Sequence, residues 1–400
     1  MSKQPPSLAS ELPLTLRHKL GLPLLVLYGT GITIGAGIYV LIGAVASHAG
    51  AYAPWAFVLS AVVMSLTVGS YAELSTRIPV SAGEAAYVKA AFNSRPFSIA
   101  TGLLTIVIGV ISASTVTIGS AGYIKQFTDM PQWLVVIAVV AALGGVAAWG
   151  ILESVLLASL FTLIEVGGLL AIVVAAFYGN VPIASTLVQP LPLDASTLSG
   201  IGFEDLANVV EEAKVPHRDI PRAMVLTLLI STILYVAIAA IAVSAVSIER
   251  LSSSSAPLSL VFREVAGINP VTISIVAIVA TLNTILAQIT MAARVVYGMS
   301  RHGDLPRIAG RVHARTATPL VATGLIALLV IALALSVPFE RLAESTSLAT
   351  LVVFALVNLS LLRLRHRRLR SSGPHVRVPL WVPAAGLATC IAMIASAFIR

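Results

Sequence analysis

The sequence predicts an all-α polytopic membrane protein of about 11 transmembrane helices, the first and sixth of them broken. Three observations point there: too few charges for a water-facing surface, apolar residues gathered in runs of membrane-spanning length, and basic residues concentrated in alternate loops. Only 10% of the 400 residues are charged and 58% are hydrophobic, with a mean hydropathy of +0.96. A soluble domain carries about 25% charged residues, so lipid must be the solvent of this chain. Runs of about 20 apolar residues cross a hydrocarbon core of roughly 30 Å as helix. The polar–apolar alternation of a membrane barrel is not seen.

The first 20 residues are polar, proline-bearing and basic near their end, and read as a cytoplasmic tail without a signal-peptide pattern. Hydropathy then marks spans near 21–46, 52–72, 97–123, 131–149, 155–178, 223–247, 269–298, 318–337, 344–362 and 379–398. The segment ASTLSGIGFEDLANVVEE, 195–212, is too polar for hydropathy to decide. The distribution of Lys and Arg decides it, because cytoplasmic loops concentrate them. If the segment crosses and the N-terminus is inside, 20 of the 25 basic residues lie inside, leaving Lys125, Arg250, Arg263, Arg341 and Arg400 outside. If it does not cross, 10 lie inside and 15 outside. The expectation is therefore eleven spans, an N-terminus in the cytoplasm and a C-terminus outside an inner (cytoplasmic) membrane.

The sixth span is then short, charged and glycine-broken. It carries Glu204, Asp205 and Asn208, which survive at membrane depth only in protein or beside a watery cavity. Gly200 and Gly202 precede Phe203, while the first span holds Gly29, Gly31, Gly35 and Gly37 within nine residues. Spans one and six hold matching positions in two repeats of five helices, and because five is odd the repeats are inverted. Interrupted segments at such positions mark a transporter's binding site. Unwinding frees amides for a carboxylate and carbonyls for an ammonium or a cation. Close helix packing is the other reading of the first cluster, since Gly31 and Gly35 form a GxxxG pair. The organisation expected is a tail (1–20), a first repeat (21–178), a second repeat (195–362), a basic cytoplasmic loop (363–378) and helix 11 (379–400).

Four ordered motifs carry a resemblance. They are Gly31-Ile32-Thr33-Ile34-Gly35-Ala36-Gly37-Ile38-Tyr39; Pro79-Val80-Ser81-Ala82-Gly83 with Tyr87 and Phe92; Gly202-Phe203-Glu204 followed by Glu211-Glu212-Ala213-Lys214-Val215-Pro216 and Arg218-Asp219-Ile220-Pro221; and Ala293–Arg301, ending at Asp304-Leu305-Pro306. Over about residues 20–365 the chain resembles the amino acid–polyamine–organocation superfamily, within it the bacterial permeases related to cationic amino acid transporters. The resemblance implies a LeuT-type 5+5 inverted-repeat fold working by alternating access. It would place a substrate carboxylate on the amides of Gly35, Ala36 and Gly37. The α-amino group would meet carbonyls near Thr30, Gly31 and Ile32 and at the Gly200–Phe203 break, with Phe203 as a gating aromatic. Ala36 stands where many relatives have Ser or Thr, little apolar helix precedes Gly202, and a twelfth span is absent.

Glu165 lies in span five with no charge for ten residues on either side. A carboxylate there costs roughly 2.5–3.5 kcal/mol on insertion scales, and desolvation opposes its ionised form. By the resemblance it falls at the position of a coupling cation or lysine, so Glu165 is the candidate for ion coupling, with protons as the ion; polar contact between helices is the alternative. Of Glu204 and Asp205, one is expected to line the path and the other to cap a half-helix. Asn283 and Gln288 in span eight could line the cavity or join helices. Arg363 to Arg368 read as the inside anchor of span ten, where contact with anionic lipid follows from charge without a specific site. Cys390 is the single cysteine, so no disulfide or cysteine-based metal site forms within one chain. No P-loop or HExxH motif points to an enzyme, and no metal, cofactor or nucleic acid is implied. The expected function is amino acid permease, by proton symport or by amino-acid/polyamine exchange; a sensor or channel of the same fold is the other class. The sequence gives neither the amino acid nor the oligomeric state.

Overall fold

Proline near the first residue starts α1 (Leu22–Gly37), α3 (Ala53–Arg77), α5 (Arg95–Ile124), α8 (Pro216–Ala245) and α10 (Pro257–Ala266). The first turn of a helix has no intrahelical use for the missing N–H. The other helices are α2 (Ile42–Ala49), α4 (Gly83–Phe92), α6 (Gln132–Trp149), α7 (Ile151–Tyr178), α9 (Ile248–Ser252), α11 (Val271–Arg301), α12 (Leu320–Ser336), α13 (Phe339–His366) and α14 (Trp381–Phe398). This computed structural model describes residues 21–78, 83–149, 151–183, 215–301, 303–313, 316, 318–367 and 375–398. Among them there is no strand, seven helices are long and apolar enough to cross a membrane, and three shorter apolar helices accompany them. These correspond to the ten hydropathy spans; residues 195–212, with Gly202, Phe203, Glu204 and Asp205, lie outside the described residues.

α11 is the most enclosed, with 72% of its apolar window buried against 22% for α6. It runs antiparallel to α5. At one end Arg95 donates from Nε to Asp304 Oδ1 at 2.8 Å. At the other, Ser274 at the start of α11 bonds Gln126 just beyond α5. α3 packs along α8, α6 along α12, and α1 against α7, α8 and α11, while α13 meets α5 and α11 meets α7. α13 continues through Arg363, Arg365 and His366, so the basic run begins inside the helix. Cations in a last turn complement the carbonyl end of a helix.

The two ends of the bundle differ in chemistry. One gathers the end of α3, helix α4, the start of α5, the ends of α11 and α13, and the segment entering α14. There Glu73 is fully buried and accepts from Arg77, from Arg365 through Nε (3.0 Å) and a terminal nitrogen, and from the Val378 amide (3.0 Å). Arg363 donates to the Ala91 carbonyl and lies over the Phe92 ring, 4.6 Å from its centroid. The opposite end carries α2, α9 and α10 and holds one ion pair among the described residues, Arg250 to Glu264 at 2.6 Å.

Candidate functional site

The first span is interrupted, and the interruption follows the glycine cluster. α1 stays helical through Gly37; the turn is Ile38–Leu41, and α2 resumes at Ile42. The glycines within α1 serve contact. A Cβ on Gly31 would collide with Thr162 Oγ1 of α7 and come within 2.9 Å of Asn283 Nδ2. One on Gly35 would collide with Thr284 Oγ1 and stand 2.5 Å from the Ala280 carbonyl oxygen of α11. One on Gly37 would collide with the Tyr235 hydroxyl of α8. Absent side chains let α1 touch three helices at backbone distance. Thr30, Gly31, Ile32, Gly35 and Gly37 are all buried.

A tyrosine network fixes the turn. Tyr123, at the end of α5, donates to the Tyr39 carbonyl at 2.6 Å and accepts from the Leu258 amide of α10 at 3.3 Å. Tyr39 in turn donates to the Glu165 backbone carbonyl at 2.8 Å, and Tyr235 donates to the Thr33 carbonyl. Thus a carbonyl freed by the break is satisfied by a side chain, as a buried carbonyl requires. Sequence reasoning gave no role to Tyr123 or Tyr235. Tyr235 carried a signal: tyrosines of membrane helices gather at the interfaces, and this one lies well inside α8.

Glu165 is completely buried on α7 and accepts through Oε1 from Asn283 Nδ2 at 2.8 Å. Asn283 therefore joins α11 to α7. Among the described residues Glu165 Oε2 and Asn283 Oδ1 have no hydrogen-bond partner, nor does Thr30 Oγ1 on α1. No basic side chain pairs with Glu165 among the described residues. The structure brings Gly31 of α1 beside Asn283, the partner of Glu165, and Gly35 against Thr284 and Ala280 of α11, and places Ala36 by its backbone in the last turn of α1. In a helix the amides of Gly35, Ala36 and Gly37 bond carbonyls one turn back, and the last carbonyls are the groups left over.

Two buried acids at the basic end escaped sequence reasoning. Glu73 could have been found from its spacing, four residues before Arg77 at a helix end. Glu84, in α4 outside the spans, accepts from the Tyr71 hydroxyl at 3.2 Å, while among the described residues its Oε2 and the Tyr87 hydroxyl have no partner. Burial pushes the Glu84 carboxyl above its ordinary value, opposed by hydrogen bonds from its own backbone and Tyr71.

Apolar helices of spanning length, an interrupted first helix and a buried carboxyl beside it define a multi-pass membrane transporter. The chain belongs to the amino acid permease family, whose family model matches residues 20–400, and so to a family of transporters rather than enzymes. It is 28% identical over 402 residues to the branched-chain amino acid permease BcaP of Bacillus subtilis, covering 88% of this chain and 82% of that one. An uncharacterised transporter of Mycobacterium tuberculosis is 30% identical over 407 residues, 96% of this chain and 87% of its own. The vacuolar cationic amino acid transporter 2 of Arabidopsis thaliana is 28% identical over 384 residues, 88% of this chain and 60% of its own. A crystal structure of the Eremococcus coleocola manganese transporter superposes with a TM-score of 0.65 at 12% identity, over 97% of this chain and 90% of that one; at that identity the likeness shows the fold alone.

Proposed function

We propose that this permease carries amino acids by proton-coupled symport through alternating access, on a LeuT-type fold of two inverted five-helix repeats, with Glu165 as the proton-carrying group. One observation carries the coupling assignment: a carboxyl withdrawn from solvent joins α7 to α11 through Asn283, beside the helix that breaks. With a proton, Glu165 is neutral and compatible with its apolar surroundings. Without it, a buried carboxylate has a single hydrogen-bond donor among the described residues, Asn283, and the contact among α1, α7 and α11 loosens or draws in a cation. Helix pairings support the repeat: α3 with α8, α5 with α11 and α6 with α12 join positions five spans apart when 195–212 counts as a span.

The substrate is proposed to sit at Thr30, Gly31, Ile32, Gly35, Ala36 and Gly37, against Gly202 and Phe203, with Glu204 and Asp205 along the path. The leftover carbonyls at the end of α1 suit the α-amino group. Carboxylate recognition by the amides of Gly35–Gly37 requires the last turn of α1 to open, which makes that turn a moving part. The membrane is the cytoplasmic one, with the N-terminus inside.

Proteoliposome uptake tests the coupling. Glu165→Gln should exchange internal for external amino acid at a rate near wild type, yet fail to accumulate it when a pH gradient is imposed. Wild-type uptake should fall as external pH rises. Accumulation by Glu165→Gln equal to wild type, or a sodium requirement at every pH, would remove Glu165 from the proton path. Wild-type uptake that needs internal amino acid and ignores the pH gradient would mark an exchanger.

A further inference from the structure

Where α13 ends and the chain enters α14, the basic end of the bundle holds an open groove of about 860 Å³. Arg365 and Arg377 supply its cationic side with His366 beside them; Leu362, Pro379 and Leu380 supply its apolar floor. The charges beneath it do not cancel. Buried Glu73 is faced by both Arg77 and Arg365, and Arg377 lies near enough to Arg77 to repel it electrostatically. His366 and Arg377 are exposed, and among the described residues no acidic side chain pairs with either. Among the described residues, one carboxylate against three guanidiniums leaves a net positive site that calls for an external anion.

The frame of the groove is fixed. Arg365 is held on Glu73 and on the Val378 carbonyl, and the Val376 amide donates to Thr76 Oγ1 at 3.2 Å. Both walls are thereby tied to α3. The apolar side continues onto exposed surface at Leu380 and Trp381, at the first turn of α14. A tryptophan at a helix end marks the level where headgroups meet acyl chains, and the amide end of α14 adds partial positive charge.

We propose that this groove binds an anionic phospholipid, its headgroup phosphate on Arg377 and His366 beside Arg365 and an acyl chain along Leu362, Pro379 and Leu380. Basic pockets between transmembrane helices take anionic headgroups in this way. A free phosphate would satisfy the charge but leave the apolar floor bare, so the ligand is the lipid. Which leaflet supplies it rests on the topology proposed above; binding in detergent does not.

The experiment uses the purified full-length protein, stripped of lipid in detergent and read by native mass spectrometry with added phosphatidylglycerol, phosphatidylcholine or inorganic phosphate. Wild type should retain phosphatidylglycerol over phosphatidylcholine, and retention should weaken as sodium chloride is raised. The double variant His366→Gln with Arg377→Gln should retain it at least about fivefold less, from the loss of surface charge; Arg377→Lys should stay near wild type. Equal retention of the two lipids by wild type, or retention indifferent to salt, would overturn the proposal without any variant. A double variant that holds phosphatidylglycerol like wild type, or displacement of the lipid by millimolar inorganic phosphate, would overturn it as well.

Discussion

Gly35 and Gly145 are both helical glycines, and their surroundings give them opposite fates. A Cβ on Gly35 meets the Ala280 carbonyl, which cannot move without moving α11; a Cβ on Gly145 in α6 meets nothing within 4 Å. Gly35→Ala should therefore lower the thermal stability of the detergent-solubilised protein, by roughly the 1–3 kcal/mol of an overpacked core. Gly145→Ala should leave it unchanged or raise it by up to about 1 kcal/mol, the helix preference of alanine. Equal effects at both positions would mean that α1 does not pack on α11 as described. The same contrast explains what the sequence could say about the first span. Four glycines in nine residues are visible in the letters, but glycine serves both unwinding and close approach. Only the neighbours distinguish the two uses, and they lie more than a hundred residues away at Thr162, Tyr235 and Ala280. Hence the break comes at Ile38–Leu41 while the cluster before it stays helical.

At the scale of helices, what was legible is what is local. Spans announce themselves by run length and composition, so the ten apolar segments read from hydropathy reappear as helices. Asn283 and Glu165 were each singled out, but their pairing across 118 residues was not, since nothing in either segment names the other. The bond that ties α3 to α13 was hidden for the same reason. Glu73 is wholly buried and Arg365 nearly so, with side-chain exposures of 0% and 10%. Removing one partner of such a pair strands a charge, at about 3–5 kcal/mol. Glu73→Gln should thus unfold at markedly lower temperature in thermal melts, and Arg365→Lys should also lose stability because a lysine lacks the planar fork. Combining Glu73→Leu with Arg365→Met should be milder than the sum of the two single changes. Strict additivity would show that the two residues do not act as a pair.

The topology of the whole chain can be followed from which helix ends share a face. α3, α11 and α13 finish at the basic end, where Glu73, Asp304 and Arg363 make their contacts. α7 finishes at the other end, where Gly179 lies against the Val265 carbonyl of α10. α8 also finishes there, since α9 follows it at once and Leu251 abuts Gly43 of α2. At 30 residues, α8 is about 45 Å long at 1.5 Å per residue, so its first residue, Pro216, belongs to the basic end. The chain leaves α7 at one face and enters α8 at the other, and the proposed topology joins the two faces by one further crossing, which the partition of Lys and Arg also calls for. α14 then starts beside Val378 at the basic end and runs from it along α3 and α13 toward the opposite one. A reporter that is active only in the cytoplasm should accordingly be silent when fused after Arg400 and active when fused in the loop after Arg367. A periplasm-specific reporter should give the reverse pattern. Cytoplasmic activity at Arg400 would invert the proposed orientation, and would place the N-terminus, the basic end and the lipid groove on the outer side of the membrane.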